Sequence, residues 1–362
     1  MTLHEDYIIE QFTLTDSDME YLPELLTHAF LEDEAAQEEG ATIILSEENF
    51  RLIFGSPTID REIFVRARYK PTNEIVGFLG SLHKALSMDD NEYKVSWPVW
   101  LSVHKNHRRK GIATAMGKKM LQVVKKAGYD AGVAFHEFSQ HGLEASKAIA
   151  RETNLPMIPL KIMNKYIVRA YDVKEAVKVV KVKWYERLYF RLKQKIGKVQ
   201  SSRVRLYHPD DLDQIFELCK DLSNRTQVAI IHEYEDLKWK LNKPQVLCVV
   251  HEDEQGKIDG FLVAWEFLLA GFGHSVEFGW LDTIHSYNLP QEEAVSLANF
   301  FGKEALKLGW KGIQTPFIPY FDPKPFKKAN FIFFPKKIGL YLFNITGIPV
   351  PDKIDSIYFE WR

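Results

Sequence analysis

Residues 99–126, VWLSVHKNHRRKGIATAMGKKMLQVVKK, constrain the fold more tightly than any other stretch of the chain. Val99, Trp100, Leu101 and Val103 make an apolar, β-branched and aromatic run that stops at a polar turn, residues 104–107. From Ile112 the period changes. Ile112, Met116, Met120, Val123, Val124 and Ala127 recur at i, i+4, i+8, i+11, i+12 and i+15, which is one face of a helix. The order is therefore strand, turn, helix. At the turn stands Arg108-Arg109-Lys110-Gly111-Ile112-Ala113, where glycine and alanine let a ligand approach the backbone and the N–H groups of the first helical turn point outward. The helix dipole adds about half a positive charge there. Lys105, Arg108, Arg109 and Lys110 add whole ones, so a pyrophosphate would be held by backbone and side chains together.

A chain of 362 residues suggests two domains, each able to bury a core. Its composition is that of an ordinary globular protein: 27% charged residues with a net charge of −2 argue against a nucleic-acid binder on bulk charge. Cys219 and Cys248 are the two cysteines, too few for a disulfide framework, which points to a reducing compartment. No apolar run approaches the ~20 residues of a membrane span. The N-terminus, MTLHEDYIIEQF, has neither the basic start nor the long apolar core of a signal peptide, so a cytoplasmic location is expected.

In chain order, Thr15-Asp16-Ser17-Asp18 caps an amphipathic helix carrying Met19, Leu22, Leu25, Leu26, Ala29 and Phe30. Residues 31–40, LEDEAAQEEG, are acidic; a solvated face is the plainer expectation, and an entrance for an amine lined by Glu32, Asp33 and Glu34 the sharper one. Strands are expected at 63–69, 75–82 and 93–103, then at 132–137 and 157–171, with a helix over 142–154. This alternation implies an α/β layer fold. Residues 174–203 are basic and aromatic, with Trp184, Leu188, Arg191 and Leu192 marking a helix. Such a segment is able to lie on a membrane, but an internal position between domain-like sequences favours a helix packed between two domains.

After this join the plan of the first half recurs. His208-Pro209-Asp210-Asp211 caps a helix with Leu212, Ile215, Phe216 and Leu218, and VLCVVHEDEQGKIDGFL (246–262) echoes IFVRARYKPTNEIVGFL (63–79), Gly260-Phe261-Leu262 matching Gly77-Phe78-Leu79. The second copy reaches its turn at residues 282–290 without the glycine or the basic residues, so it should hold no pyrophosphate.

Arg108-x-x-Gly111-x-Ala113, after a strand and before an amphipathic helix, looks like the Arg/Gln-x-x-Gly-x-Gly/Ala loop of the GNAT superfamily, the acyl-CoA-dependent N-acyltransferases. That resemblance implies an α/β (α+β) chain of two tandem GNAT-like domains, each a mixed, mostly antiparallel sheet flanked by helices. It implies a CoA-binding domain at 1–173, a basic helical linker at 174–202, and a second domain at 203–362 lacking the pyrophosphate loop. It further implies that an acyl-CoA, acetyl-CoA or longer, is the co-substrate with no metal, held by Leu101, Ser102, Val103, Arg108, Arg109, Lys110, Gly111, Ile112, Ala113 and Thr114. The backbone amides of Trp100 and Leu101 would polarise the thioester carbonyl. The tyrosine with which many relatives protonate the leaving thiolate has no counterpart, because Ala150 stands in its place, and the strand at 93–103 lacks the glutamate base of others. His136 and Glu137, at a strand end near the site, are either structural or take the amine's proton directly or through water.

A tandem chain of this size resembles the N-myristoyltransferase family more than single-domain acetyltransferases. Trp100-Leu101-Ser102-Val103-His104-Lys105 is similar to that family's Phe-Leu-Cys-Val-His-Lys, whose first two amides form an oxyanion hole. Residues 171–184 resemble the segment with which it leaves its first half. The ending resembles its final strand, whose terminal carboxylate serves as base, which would give that role here to Arg362 or, beside it, Glu360. Two departures stand out: Arg-Arg-Lys-Gly-Ile-Ala replaces Arg-Ser-Lys-Arg-Val-Ala, and residues 357–362 lack the Gly-Leu-Val-Leu-Gln pattern. The expected activity is direct transfer of an acyl group, acetyl first, from a CoA thioester to a primary amine of a small molecule, a lysine or a peptide N-terminus. The alternatives are a long-chain N-acyltransferase acting on peptide N-termini and a CoA-binding or interaction module without catalysis. No nucleic acid and no membrane span is expected.

Overall fold

The helical period that begins at Ile112 is realised as a helix over Ile112–Lys126, with Gly111 in the left-handed region (φ 80°) immediately before it. Ile112, Met116, Met120, Val123 and Val124 are buried against Val65, Ala67, Val76 and Leu79 of the neighbouring strands and against Ile63 and Tyr129 beside them, as the sequence stripe requires. The structure, a computed structural model, describes residues 3–138 and 141–361.

The elements in chain order begin with β1 (Tyr7–Phe12), α1 (Asp18–Leu31), α2 (Glu34–Glu39), β2 (Thr42–Ile44), α3 (Glu47–Phe54), β3 (Phe64–Tyr69), β4 (Glu74–Met88) and β5 (Asn91–Val103). The helix above is α4; β6 (Ala131–Glu137), α5 (His141–Thr153), β7 (Met157–Ala170), α6 (Val173–Ala176) and α7 (Trp184–Lys193) follow. The remainder is β8 (Val204–Leu206), α8 (Leu212–Asn224), β9 (Val228–Ile231), α9 (Tyr234–Leu241), β10 (Val246–Glu252), β11 (Ile258–Gly271) and β12 (His274–His285). Then come α10 (Gln291–Lys307), β13 (Gly312–Pro316), α11 (Lys324–Lys328), β14 (Ile332–Asn344) and β15 (Ile357–Tyr358).

Two compact units form, but they do not follow chain order. The first holds Met1–Glu38, Ile44–Met163 and Lys337–Ile354; the second holds Glu39–Ile43, Asn164–Lys336 and Asp355–Arg362. The expected boundaries at 173 and 203 miss an exchange of strands. Ile338–Asn344 of β14 pair antiparallel with β6 in the first unit, while Tyr166–Ala170 of β7, expected to complete the first half, pair with β13 in the second. Each unit is a mixed sheet: β1, β3, β4 and β5, and likewise β8, β10, β11 and β12, succeed one another antiparallel, while β5 runs parallel to β6 in the first unit and β12 to β13 and β15 to β9 in the second. Helices flank both, giving the α/β class and mostly antiparallel sheets expected.

The duplication extends to hydrogen bonds. Asp18 accepts the Thr15 N–H at 2.7 Å, and Asp211 accepts the His208 N–H at 2.7 Å, at corresponding helix starts. The paired hairpins both slip register just before the matching glycines, passing over Val76 before Gly77 and Asp259 before Gly260. The segment 174–202 corrects another expectation. No residue of α7 is buried, and its apolar face, expected to pack between domains, is exposed, Trp184 by 78% and Leu192 by 72%.

A buried polar cluster fastens the end of the chain inside the second unit. Glu360 accepts from Lys240 Nζ at 2.6 Å, from Tyr358 OH at 2.7 Å and from Thr283, and lies 3.3 Å from His232. Asp282 accepts the Trp361 N–H at 2.8 Å and lies 3.4 Å from Lys240. Burial would raise the Glu360 pKa, but the charges of His232 and Lys240 and their hydrogen bonds hold it well below the usual carboxylate range. Removing one partner of such a pair leaves a buried charge uncompensated. Lys240→Met is therefore expected to destabilise the protein by about 3 kcal/mol, read as a lower urea midpoint at unchanged slope.

Candidate active site

The strand that leads into the basic loop carries an irregularity at its functional end. On β4, Phe78 faces Ser102 and Gly80 faces Val99, so one residue, Leu79, stands opposite two, Trp100 and Leu101. This is a β-bulge, and it is strained: Trp100 has φ 60°, a conformation that L side chains other than Asn and Asp rarely adopt and that costs about 1–3 kcal/mol. Phe30 braces the Trp100 ring edge-on at 5.8 Å, and the Leu101 side chain packs on the α4 core. On its other edge β5 pairs with β6 only at Val95–Ala131 and Ser96–Gly132, whereas β6 continues to Glu137 in register with β14. Beyond Ser96 the two strands part, and the bulge faces the opening.

The loop after the strand divides its cations between two tasks. Arg108, expected by resemblance to bind phosphate, donates to the carbonyl oxygens of Val103 (3.2 Å), Glu32 (3.2 Å) and Ala29. It caps the C-terminus of α1, where a cation complements the helix dipole, and so fixes the loop to the body of the unit. Arg109 (φ 61°) and Gly111 (φ 80°) turn the chain so that α4 opens with its first N–H groups, those of Ile112, Ala113 and Thr114, at the loop. The Arg109 side chain is 85% exposed. Lys110 lies 5.7 Å above the Tyr7 ring.

The acidic segment is neither a bare solvated face nor an isolated amine entrance. Glu32 pairs with Lys105, Glu34 with Arg109 at 3.2 Å and Asp33 with Arg108 at 3.9 Å. The Lys105 hydrogen bond holds the Glu32 carboxyl below its ordinary range. An anion arriving at the loop has these carboxylates as competitors. Glu32→Gln with Glu34→Gln is expected to tighten CoA binding several-fold at low salt and much less at high salt, since exposed pairs contribute about 0–1 kcal/mol each. Calorimetric titration at the two ionic strengths checks it.

At the end of β5 and just after it, two buried polar atoms lack a hydrogen bond among the described residues, Ser102 Oγ and His104 Nδ1. Together with the free helix end and the exposed Arg109, they fit a long ligand with amide and phosphate groups, the chemistry of coenzyme A.

His136, on β6 beyond the parting of the strands, is largely buried, its ring tilted against Tyr341 at 5.9 Å. Burial pushes its pKa down to about 4, so it is neutral at pH 7, and its Nε2 is buried without a hydrogen bond. Tyr341 was not legible as a site neighbour, because nothing in the sequence tells that β14 returns to the first unit. Glu137 follows at the strand end. Ala150 is core, packed with Ala134 and Phe343, so no acid stands there. Glu360, with both oxygens engaged, anchors the second unit and is a poor proton acceptor; Arg362 lies outside the described residues.

Residues 12–136 match the family model of the acetyltransferase (GNAT) domain. They are a GNAT acyltransferase domain. The match covers the bulged strand, the basic loop, α4 and β6 up to His136, the elements just described. Solved structures extend the likeness to both units. The N-myristoyltransferase of Saccharomyces cerevisiae with bound myristoyl-CoA and inhibitors aligns over 95% of this chain and 81% of its own, at 17% identity and a TM-score of 0.75. The same enzyme with myristoyl-CoA gives 95%, 84%, 17% and 0.74. A conserved protein of unknown function from Enterococcus faecalis, titled a probable N-acyltransferase, aligns over 94% of this chain and 73% of its own, at 11% identity and a TM-score of 0.52. No curated protein sequence matches. The tandem GNAT fold is thus shared with N-myristoyltransferase across nearly the whole chain.

His136 also gives the protein an acid-sensitive step. Its folded pKa of about 4 lies below the ordinary 6.5, so the unfolded chain binds the extra proton first. Its contribution is complete above pH ~6.5 and is lost as pH falls toward 4, at most ~3 kcal/mol. The melting temperature of the wild type should fall relative to that of His136→Phe as the pH drops through that window.

Proposed function

We propose that the chain moves an acyl group from a coenzyme A thioester directly to a primary amine. The Trp100 bulge, standing on β5 beyond its last pairing with β6 and followed by the loop that leads into α4, carries this reading. Gly111, Ile112, Ala113 and Thr114 with Arg109 and Lys110 would hold the pyrophosphate, Arg108 setting the loop that presents them. The backbone of Leu101, Ser102 and Val103 would line the pantetheine arm. The amides of Trp100 and Leu101, displaced from the ladder by the bulge, would receive the thioester oxygen as negative charge develops on it.

The amine nitrogen then forms the new C–N bond as the C–S bond breaks. One proton of the ammonium leaves before attack and one after. A neutral His136 accepts a hydrogen bond readily but holds a proton poorly at neutral pH, so it and Glu137 would relay through water rather than store the charge. With alanine at position 150 the thiolate departs as an anion, which its ordinary pKa near 8.5 makes affordable, and takes a proton from solvent. Positioning and the two amides would supply most of the acceleration.

A long acyl chain and a peptide N-terminus form a second reading, favoured by one observation. The two-unit fold with its exchanged strands is shared over 95% of the chain with a protein that carries myristoyl-CoA. Thermal shift with CoA, acetyl-CoA and myristoyl-CoA separates the readings. A ligand at a hundred times its dissociation constant stabilises by about 2.7 kcal/mol, and the acyl length bound most tightly names the donor. Gly111→Asp places a negative side chain at a φ of 80° beside the phosphates and should remove the shift while the circular dichroism stays native. A wild-type shift in that variant would refute the loop assignment. Binding without formation of N-acyl product from any amine would refute catalysis.

A further inference from the structure

Helix α7 is held by its ends and not by its side chains. A helix of 10 residues is marginal in water. At its start Glu186 accepts the Lys183 N–H at 2.8 Å. At its end the buried Arg169 donates to the carbonyl oxygens of Lys193, Gln194 and Lys195 at 2.6, 3.2 and 3.0 Å. The second unit thus commits a buried guanidinium to fixing a helix none of whose residues is buried.

What the clamp presents is an apolar stripe. Trp184, Leu188 and Leu192 follow at i, i+4 and i+8, with Tyr185 and Tyr189 beside them, and all five are exposed. No other described element exposes more than two large apolar side chains. The half-buried Glu186, Phe190 and Lys193 occupy the opposite face, so the stripe looks away from the body of the unit. The charge around it is one-sided. Residues 178–198 hold eight lysines and arginines and one acid, Glu186, in a chain of net charge −2. The exposed Arg187 and Arg191 border the stripe.

We infer that this face docks on an anionic lipid surface. A single convex helix offers no groove to a protein partner. Trp and Tyr rings suit the boundary between headgroups and acyl chains, and the surrounding cations match lipid phosphates. Trp184, Leu188 and Leu192 enter the boundary while Arg187, Arg191 and the flanking lysines lie among the headgroups. The described residues contain no helix long and apolar enough to cross a membrane, so the contact is peripheral. It stands independently of the reaction proposed for the first unit.

The test is sedimentation of the full chain with phosphatidylcholine vesicles, with and without about a third phosphatidylglycerol. Binding is expected to the anionic vesicles alone and to weaken as salt rises. Leu188→Asp, at a position already exposed to water, should lower the bound fraction about tenfold at an unchanged melting temperature. Vesicles should shift the tryptophan emission to the blue, and Trp184→Phe should abolish that shift. Three results would overturn the inference: no binding to anionic vesicles, binding untouched by Leu188→Asp, or self-association in vesicle-free buffer that Leu188→Asp relieves, which would give the face to a second copy.

Discussion

The structure turns on where a parallel ladder stops. β5 and β6 share two paired positions and then separate, and the bulge at Trp100 falls on the free length of β5. A sheet that pairs along its full length leaves no backbone amide for a ligand. Parting the strands frees the inner edge of β5, and adding one residue turns a peptide group out of line with its neighbours on β4. The strain held at Trp100 is the cost of that turn, and the Phe30 contact and the partly buried Leu101 help to offset it. The same construction appears in the second unit. β12 pairs with β13 only at Gly279–Ile313 and Trp280–Gln314, and Val263 faces Thr283 while Ala264 faces Leu281, leaving Asp282 as the extra residue.

The two copies then diverge in what meets the freed strand. In the second unit it is the chain itself: Asp282 takes the Trp361 N–H, Thr283 binds Glu360, and the Trp361 ring packs on Trp280 at 4.8 Å. Lys240 and His232 neutralise the carboxylates thus buried. In the first unit, among the described residues, Ser102 Oγ and His104 Nδ1 are left without partners beside the corresponding strand end. The two copies of the frame therefore differ in what packs on the freed strand, residues 360 and 361 in the second unit, and not in unpaired buried atoms, since both ring nitrogens of His285 at the end of β12 also lack a hydrogen bond. The loops differ as well: Arg108 to Gly111 follow β5, and no glycine, lysine or arginine follows β12 until its helix begins.

Much of the first unit was legible in residue order because its signals are local. The change from β-type to helical period at Ile112, the glycine at a left-handed position and the hairpin echoed at 246–262 all depend on neighbours within a few residues. The strand exchange was not legible. β7 and β14 carry ordinary strand patterns, and which sheet each joins is decided by pairing across long sequence separations. For the same reason Arg108 read as a phosphate ligand, since its role in capping α1 depends on carbonyls more than seventy residues away. The apolar stripe of α7 read as a buried face because periodicity reports that a face is apolar without saying what covers it.

The distribution of charge in the first unit follows from that capping. Once Arg108 is committed to α1, the last turn of α1 and the acids after it are fixed beside the loop, and Lys105 and Arg109 meet Glu32 and Glu34. A cationic loop without those acids would attract any polyanion by long-range field alone. With them, the loop is close to neutral until a ligand supplies something the carboxylates lack. On the reading proposed above, a pyrophosphate would do so by using the helix N–H groups and the side chains at once. On that reading selectivity at the loop would rest on the backbone geometry at Gly111 as well as on its cations, with the acids that pair with Lys105 and Arg109 as competitors.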